Sequence, residues 1–173
     1  MNVQRENAGH AFDTSDMDGD GFLDQRDMIV VAESVCARLG LGEARREAVI
    51  TAYDYAWRNA VDLIGTDEDG KISREAYVRY ATSPDLDRVA FTAHIVWPIG
   101  DALWDALDTD GDEQLTRGEY LRLWGAYDVA GWSAREAFER LDTNRDGRLS
   151  KDEFAQAIYD FYYGSDVPIF GRH

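Results

Sequence analysis

Apolar residues recur along this chain at three- and four-residue spacing, the period that puts side chains on one face of an α-helix. Met28, Val31, Ala32 and Val35 make one such face, and Ile99, Ala102, Leu103, Ala106 and Leu107 make another. Strand-type alternation is minimal, so the pattern predicts an all-α protein. The periodicity stops at Gly40-Leu41-Gly42, Ser83-Pro84-Asp85 and Gly131 to Ser133, where turn-forming residues mark breaks between units. Pro98 lacks an N–H and its ring clashes with the preceding turn, so it is expected to kink or interrupt the helix around it.

The polar positions carry a second pattern. Asp and Gly gather in four short segments, and 12-residue windows starting at Asp16, Gly65, Asp108 and Asp142 bring them into step. The eighth position of each window is then Leu23, Ile72, Leu115 or Leu149. Phe12, Val61, Trp104 and Phe138 stand four residues before the windows, and Met28, Tyr77, Tyr120 and Phe154 directly after them. An Asp-rich coil does not build an apolar frame around each of its acidic clusters. The chain therefore reads as four helix-loop-helix units with buried residues fixed on either side of each loop.

Composition narrows the function. At 173 residues and 45% hydrophobic content the chain has enough apolar surface for a folded core. Asp and Glu total 34 against 18 Lys and Arg, a formal charge of −16, which disfavours nucleic acid and anionic membrane surfaces as partners. No run approaches the roughly 20 apolar residues of a spanning helix. Met1 to Glu6 has no signal-like apolar stretch and Asn2 is no myristoylation site, so a cytoplasmic protein is expected. Cys36 is the single cysteine, which excludes an intrachain disulfide and predicts a small buried hydrophobe. Nucleophile-elbow, paired-histidine and phosphate-loop motifs are all missing, and His10, His94 and His173 are scattered, so no enzyme activity is expected.

Oxygen-rich 12-residue loops suit a hard dication, which takes six to eight oxygens from positions 1, 3, 5, 7, 9 and 12, with Gly at 6 for the sharp turn. The fourth window meets that demand throughout with Asp142, Asn144, Asp146, the Arg148 carbonyl, Ser150 and Glu153, the last long enough for bidentate closure. The third supplies Asp108, Asp110, Asp112, the Gln114 carbonyl, Thr116 and Glu119, with Glu113 where Gly is preferred. The left-handed conformation expected there costs a residue with a Cβ on the order of 1 kcal/mol. The first offers Asp16, Asp18, Asp20, the Phe22 carbonyl, Asp24 and Asp27. The shorter Asp27 at position 12 lowers the coordination number, so weaker calcium binding, or magnesium as well, is expected there. The second window has Gly65 and Ala76 at positions 1 and 12, and is expected to fold without binding an ion. Three calcium ions would cancel six of the sixteen formal negative charges, coupling ion binding to stability.

These residues resemble the EF-hand over nearly the whole chain, from about Ala8 to Tyr163. The ligand-poor second unit and the many aromatics look most like sarcoplasmic calcium-binding proteins and their bacterial calerythrin-type relatives. The resemblance implies two lobes packed compactly, residues 1–82 and 86–163, with an apolar tail at 164–173 expected to cover a groove. It also implies short β contacts in which Leu23 meets Ile72 and Leu115 meets Leu149. With three Met in the chain, no Met-rich docking groove can be assembled, whereas Trp57, Trp97, Trp104, Trp124 and Trp132 suit a permanent core. The expectation is a monomeric calcium buffer or signal modulator. The alternatives are a calcium sensor for an unidentified protein partner and, since related proteins hold coelenterazine-type ligands, an aromatic cavity lined by Trp, Tyr and His94.

Overall fold

Each acidic loop starts its own exit helix. Asp24 Oδ1 accepts from the N–H groups of Arg26 and Asp27 (2.7 and 3.1 Å), and Asp27 Oδ2 accepts from Asp24 N–H (3.0 Å). This reciprocal box satisfies N–H groups that the first helical turn leaves without partners. Thr116 with Glu119 and Ser150 with Glu153 repeat it in the third and fourth loops. Ser73 caps Ala76 N–H (3.1 Å), but Ala76 has no carboxylate with which to reply. Loop positions 9 and 12 are thus N-cap and third helical residue, so candidate ligands and helix starts share the same side chains.

The computed structural model describes residues 3–127 and 131–163. The first pair of units comprises α1 (Val3–Asp13), α2 (Gln25–Leu39), α3 (Glu43–Ile64) and α4 (Arg74–Ala81). A short α5 (Arg88–Phe91) and a π-helical stretch (Thr92–Val96) lead into α6 (Trp97–Leu107), followed by α7 (Arg117–Ala126), α8 (Gly131–Leu141) and α9 (Lys151–Tyr163). The expected interruption at Pro98 takes the form of that π turn. Pro98 has no N–H to offer, and the N–H of Trp97 reaches back five residues to the Thr92 carbonyl. Gly131 to Ser133, expected as a break, belong to α8 instead.

Two antiparallel ladders join the loops in pairs. β1 (Phe22–Leu23) pairs with β2 (Ile72–Ser73), and β3 (Gln114–Thr116) with β4 (Arg148–Ser150). Their registers set Leu23 opposite Ile72 and Leu115 opposite Leu149, as the resemblance implied. Of the twelve frame residues, eleven are buried and Val61 is half-buried.

The two pairs share one core. Helix α3 packs on α2, α6 and the π turn, α2 on α7, and α1 on both α4 and α9. Arg122 of α7 donates to the Leu39 carbonyl at the end of α2 (3.0 Å), and Arg38 of α2 donates to the Ala126 carbonyl at the end of α7 (3.2 Å). Each helix thereby places a cation on the negative C-terminal end of the other. The Tyr53 and Tyr127 hydroxyls bond across the same junction. Trp57, Trp104 and Trp124 are buried and Trp97 is half-buried, while the Trp132 side chain and the tail at 164–173 lie outside the described residues. Cys36 is buried, and burial raises its thiol. His94 is exposed and bonds the Tyr55 hydroxyl through Nδ1 (3.1 Å), so it lines no interior space.

Candidate metal centres

The opening residue organises three of the four loops. Asp16 accepts from Gly19 and Gly21 N–H (2.9 and 3.0 Å), Asp108 from Gly111 and Glu113 (2.8 and 3.0 Å), and Asp142 from Asp146 and Gly147 (3.1 and 2.9 Å). Winding the chain around one carboxylate requires left-handed backbone at position 6, where φ is +83° at Gly21, +59° at Glu113 and +81° at Gly147. Glu113 adopts the expected unfavourable conformation. Arg145, at position 4 of the fourth loop, also has φ +59° where its first- and third-loop counterparts are Gly19 and Gly111.

Carboxylates converge within these loops. Oxygens of Asp108, Asp110 and Asp112 lie within 4.8 Å of one another, as do those of Asp16, Asp18 and Asp27. Such proximity of like charges is unfavourable unless a cation sits among them. In the fourth loop Asn144 replaces one carboxylate. Its Oδ1 accepts from Asp146 N–H (3.0 Å) and its Nδ2 donates to Asp146 Oδ2 (3.1 Å).

The closing residues differ. Glu119 accepts at Oε1 from the Thr109 hydroxyl (2.9 Å) and at Oε2 from Thr116 N–H (2.9 Å), and Glu153 does the same with Thr143 (2.8 Å) and Ser150 (3.0 Å). Burial raises both carboxyls, yet these donors outweigh it and hold both below the ordinary range. Asp27 goes the other way. It is buried, and desolvation assisted by the Asp24 and Asp18 charges raises its carboxyl despite the Asp24 N–H bond.

The second loop closes on itself. Asp67, at position 3, accepts at Oδ1 from Asp69 and Lys71 N–H (3.0 and 2.9 Å), and its own N–H donates to the Lys71 carbonyl (2.9 Å). That carbonyl occupies position 7, the backbone ligand of such a loop. With Gly65 opening it and Ala76 closing it, the loop offers a dication few oxygens.

Three features escaped the sequence reading. Thr109 and Thr143 hold the closing glutamates, a role signalled by the repeated Asp-Thr at positions 1 and 2. Arg148 pairs with Asp112 of the third loop, and Lys71 Nζ with Asp20 of the first (2.7 Å). Both cations sit at position 7, whose backbone carbonyl is the ligand in such a loop.

The EF-hand domain pair family matches residues 99–159, which hold the third and fourth loops. The chain is 27% identical to calerythrin of Saccharopolyspora erythraea over 164 residues, 92% of this chain and 93% of that one. It is 26% identical to the luciferin-binding protein of Renilla reniformis over 151 residues, 86% of this chain and 80% of that one. A solved structure of a Streptomyces coelicolor calcium-binding protein, described in terms of prokaryotic calcium-mediated regulation, superposes with a TM-score of 0.76 at 27% identity, covering 94% of this chain and 99% of that one. Residues 99–159 thus match an EF-hand domain pair, and the chain as a whole, with four frame-matched loops and two ladders centred on position 8, is similar to calerythrin and to the Streptomyces calcium-binding protein.

Proposed function

We propose that the protein binds calcium and acts as a buffer or signal modulator inside the cell, with three loops each taking one ion. The first would use Asp16, Asp18, Asp20, the Phe22 carbonyl, Asp24 and Asp27. The third would use Asp108, Asp110, Asp112, the Gln114 carbonyl, Thr116 and Glu119, and the fourth Asp142, Asn144, Asp146, the Arg148 carbonyl, Ser150 and Glu153. The observation carrying this reading is the opening carboxylate that gathers the loop N–H groups in these three windows and is missing from the second. The short, buried Asp27 supports magnesium as a second ion at the first loop. Residues 1–82 and 86–163 are the two functional pairs, the protein is a monomer, and no catalytic role is assigned.

The buffer reading is favoured by where the apolar surface lies. Sensor hands open to expose a Met-rich groove, whereas buffer hands barely open. Here Met28 is buried, Met17 is exposed inside a loop, and the helix faces are committed to the shared core. The sensor reading draws support from the Streptomyces likeness and from the neighbouring exposed pair Ile29 and Val30 on α2. A ligand-holding role is supported less. The interior cavity between the pairs, lined by Tyr53, Trp57, Leu103, Trp124 and Tyr127 among others, measures about 150 Å³. A cavity of roughly that size takes a benzene-sized molecule, far smaller than a multi-ring coelenterazine-type compound. The test is a calcium titration in millimolar magnesium with an apolar-surface dye. Flat or falling fluorescence as three sites fill supports the buffer, and a clear rise replaces it with the sensor.

A further inference from the structure

The second loop lacks opening and closing carboxylates but carries a charged group aimed at the ligands of the first. Lys71 is fixed at both backbone ends, its N–H donating to Asp67 Oδ1 (2.9 Å) and its carbonyl accepting from Asp67 N–H (2.9 Å). Its ammonium crosses to the first loop, 2.7 Å from Asp20 Oδ2 and 3.8 Å from Asp24 Oδ2, and lies 5.9 Å from the centre of the Phe22 ring. Asp20 and Asp24 are positions 5 and 9 of the first loop. The converging oxygens there belong to Asp16, Asp18 and Asp27, and Asp20 is not among them. In the third loop the position 5 residue, Asp112, does join its cluster although Arg148 reaches it from the paired loop.

We propose that Lys71 is a built-in counter-cation of the first loop, drawing Asp20 toward the second loop and thereby weakening divalent-cation binding at the first. The second loop then has a task beyond completing the ladder, which is to present a positive charge to its partner's ligands. Lys71 holds Asp20 Oδ2 while Oδ1 accepts from Phe22 N–H (2.8 Å), so bringing Oδ2 to an ion means giving up Lys71, and the ammonium repels any dication held nearby. The contrast with Asp112 explains why the first loop is singled out: Arg148 leaves its carboxylate within the cluster, whereas Lys71 removes one. This inference rests on the first loop being a cation site, as proposed above.

The test compares the full-length protein with Lys71→Gln and Lys71→Arg. Calcium and magnesium titrations followed by NMR at the Gly21 amide, which donates to Asp16 Oδ2 (3.0 Å), read the first loop separately from the others. Lys71→Gln is expected to tighten the first loop about two- to fivefold, the scale of one exposed ion pair, while Lys71→Arg stays near the parent. Thermal melts in EDTA and in calcium supply the second readout. Lys71→Gln should lower Tm in EDTA and leave it nearly unchanged in calcium, because the pair is given up on binding. Unchanged or weaker binding, or an equal loss of Tm in both conditions, would make Lys71 an ordinary structural bridge and overturn the proposal. A parent first loop that binds neither cation would count against the three-site reading. In that event Lys71→Gln restoring binding would support the counter-cation, and its failure to do so would end it.

Discussion

The N-terminal and C-terminal loop pairs share one frame and differ in what they do with it. Both join their loops by an antiparallel ladder with buried apolar residues at its centre, Leu23 with Ile72 and Leu115 with Leu149. In the C-terminal pair both loops are wound on an opening carboxylate and closed by a Glu held by four donors. In the N-terminal pair one loop is closed by a short buried Asp, and the other is wound on Asp67 and consumes its own position 7 carbonyl. The frame persists without the ligands because it contributes to stability through burial, which needs no ion. A ligand-poor loop is therefore retained as a packing and ladder partner.

Chelation should break the comparison most. At a hundredfold excess over Kd, each bound ion contributes about 2.7 kcal/mol, and each kcal/mol moves Tm by roughly 2–4 °C in a chain of this size. EDTA is expected to lower Tm by about 10 °C or more in calorimetry. Hydrogen exchange should rise more around Leu115 and Leu149 than around Leu23 and Ile72. Equal Tm with and without EDTA would refute the coupling of ion binding to stability.

Leu149→Ala should come next. The side chain is fully buried at the ladder centre, and such truncations cost about 2–5 kcal/mol. Both C-terminal loops should lose calcium affinity together, measured by titration calorimetry. Weakening of the fourth loop alone would show that the two do not act as a unit. Glu153→Gln should reduce the fourth loop's affinity at least about tenfold, the scale of a lost charged ligand, while the first and third loops stay within a factor of two. Retained affinity at the fourth loop would remove Glu153 from its ligands.

Smaller effects sharpen the contrast. Glu113→Gly relieves a residue at φ +59° and should raise stability by about 1 kcal/mol in urea melts, less the entropy a Gly adds to the unfolded chain. A destabilised variant would show that the Glu113 side chain contributes more than its strain costs.

Acidification should act oppositely on the closing residues of the two pairs in calcium-free protein. Glu119 and Glu153 are held below their ordinary values, so their contribution is present above the unfolded-state pKa and lost as pH falls through the lower folded one. Asp27 is raised, so its ionised form costs stability above its folded pKa, and that cost is relieved as pH falls through it. Between about pH 5 and 3, exchange protection should decline first in the C-terminal loops. A decline beginning in the first loop would contradict these assignments.

Much of this was legible in the sequence because period and spacing are local. The frame residues and the left-handed Glu113 follow from one repeat applied four times, the pairing of Leu23 with Ile72 from the family resemblance, and the burial of Cys36 from the apolar helix face on which it falls. What was not legible depends on contacts between units. The reciprocal Arg38 and Arg122 caps need α2 and α7 to lie side by side, and Lys71 on Asp20 needs the ladder to set one loop's position 7 against the other's position 5. Gly131 belongs to α8 although glycine is a turn-forming residue, because it weakens a helix without being excluded from one.

The most direct test of the account is calcium stoichiometry, counted by native mass spectrometry on the intact chain and on Glu153→Gln. Three ions on the parent and two on the variant are the expected result. Four ions on the parent would mean that the second loop binds despite Gly65 and Ala76, and two or fewer would mean that an opening carboxylate with its gathered N–H groups does not by itself make a site.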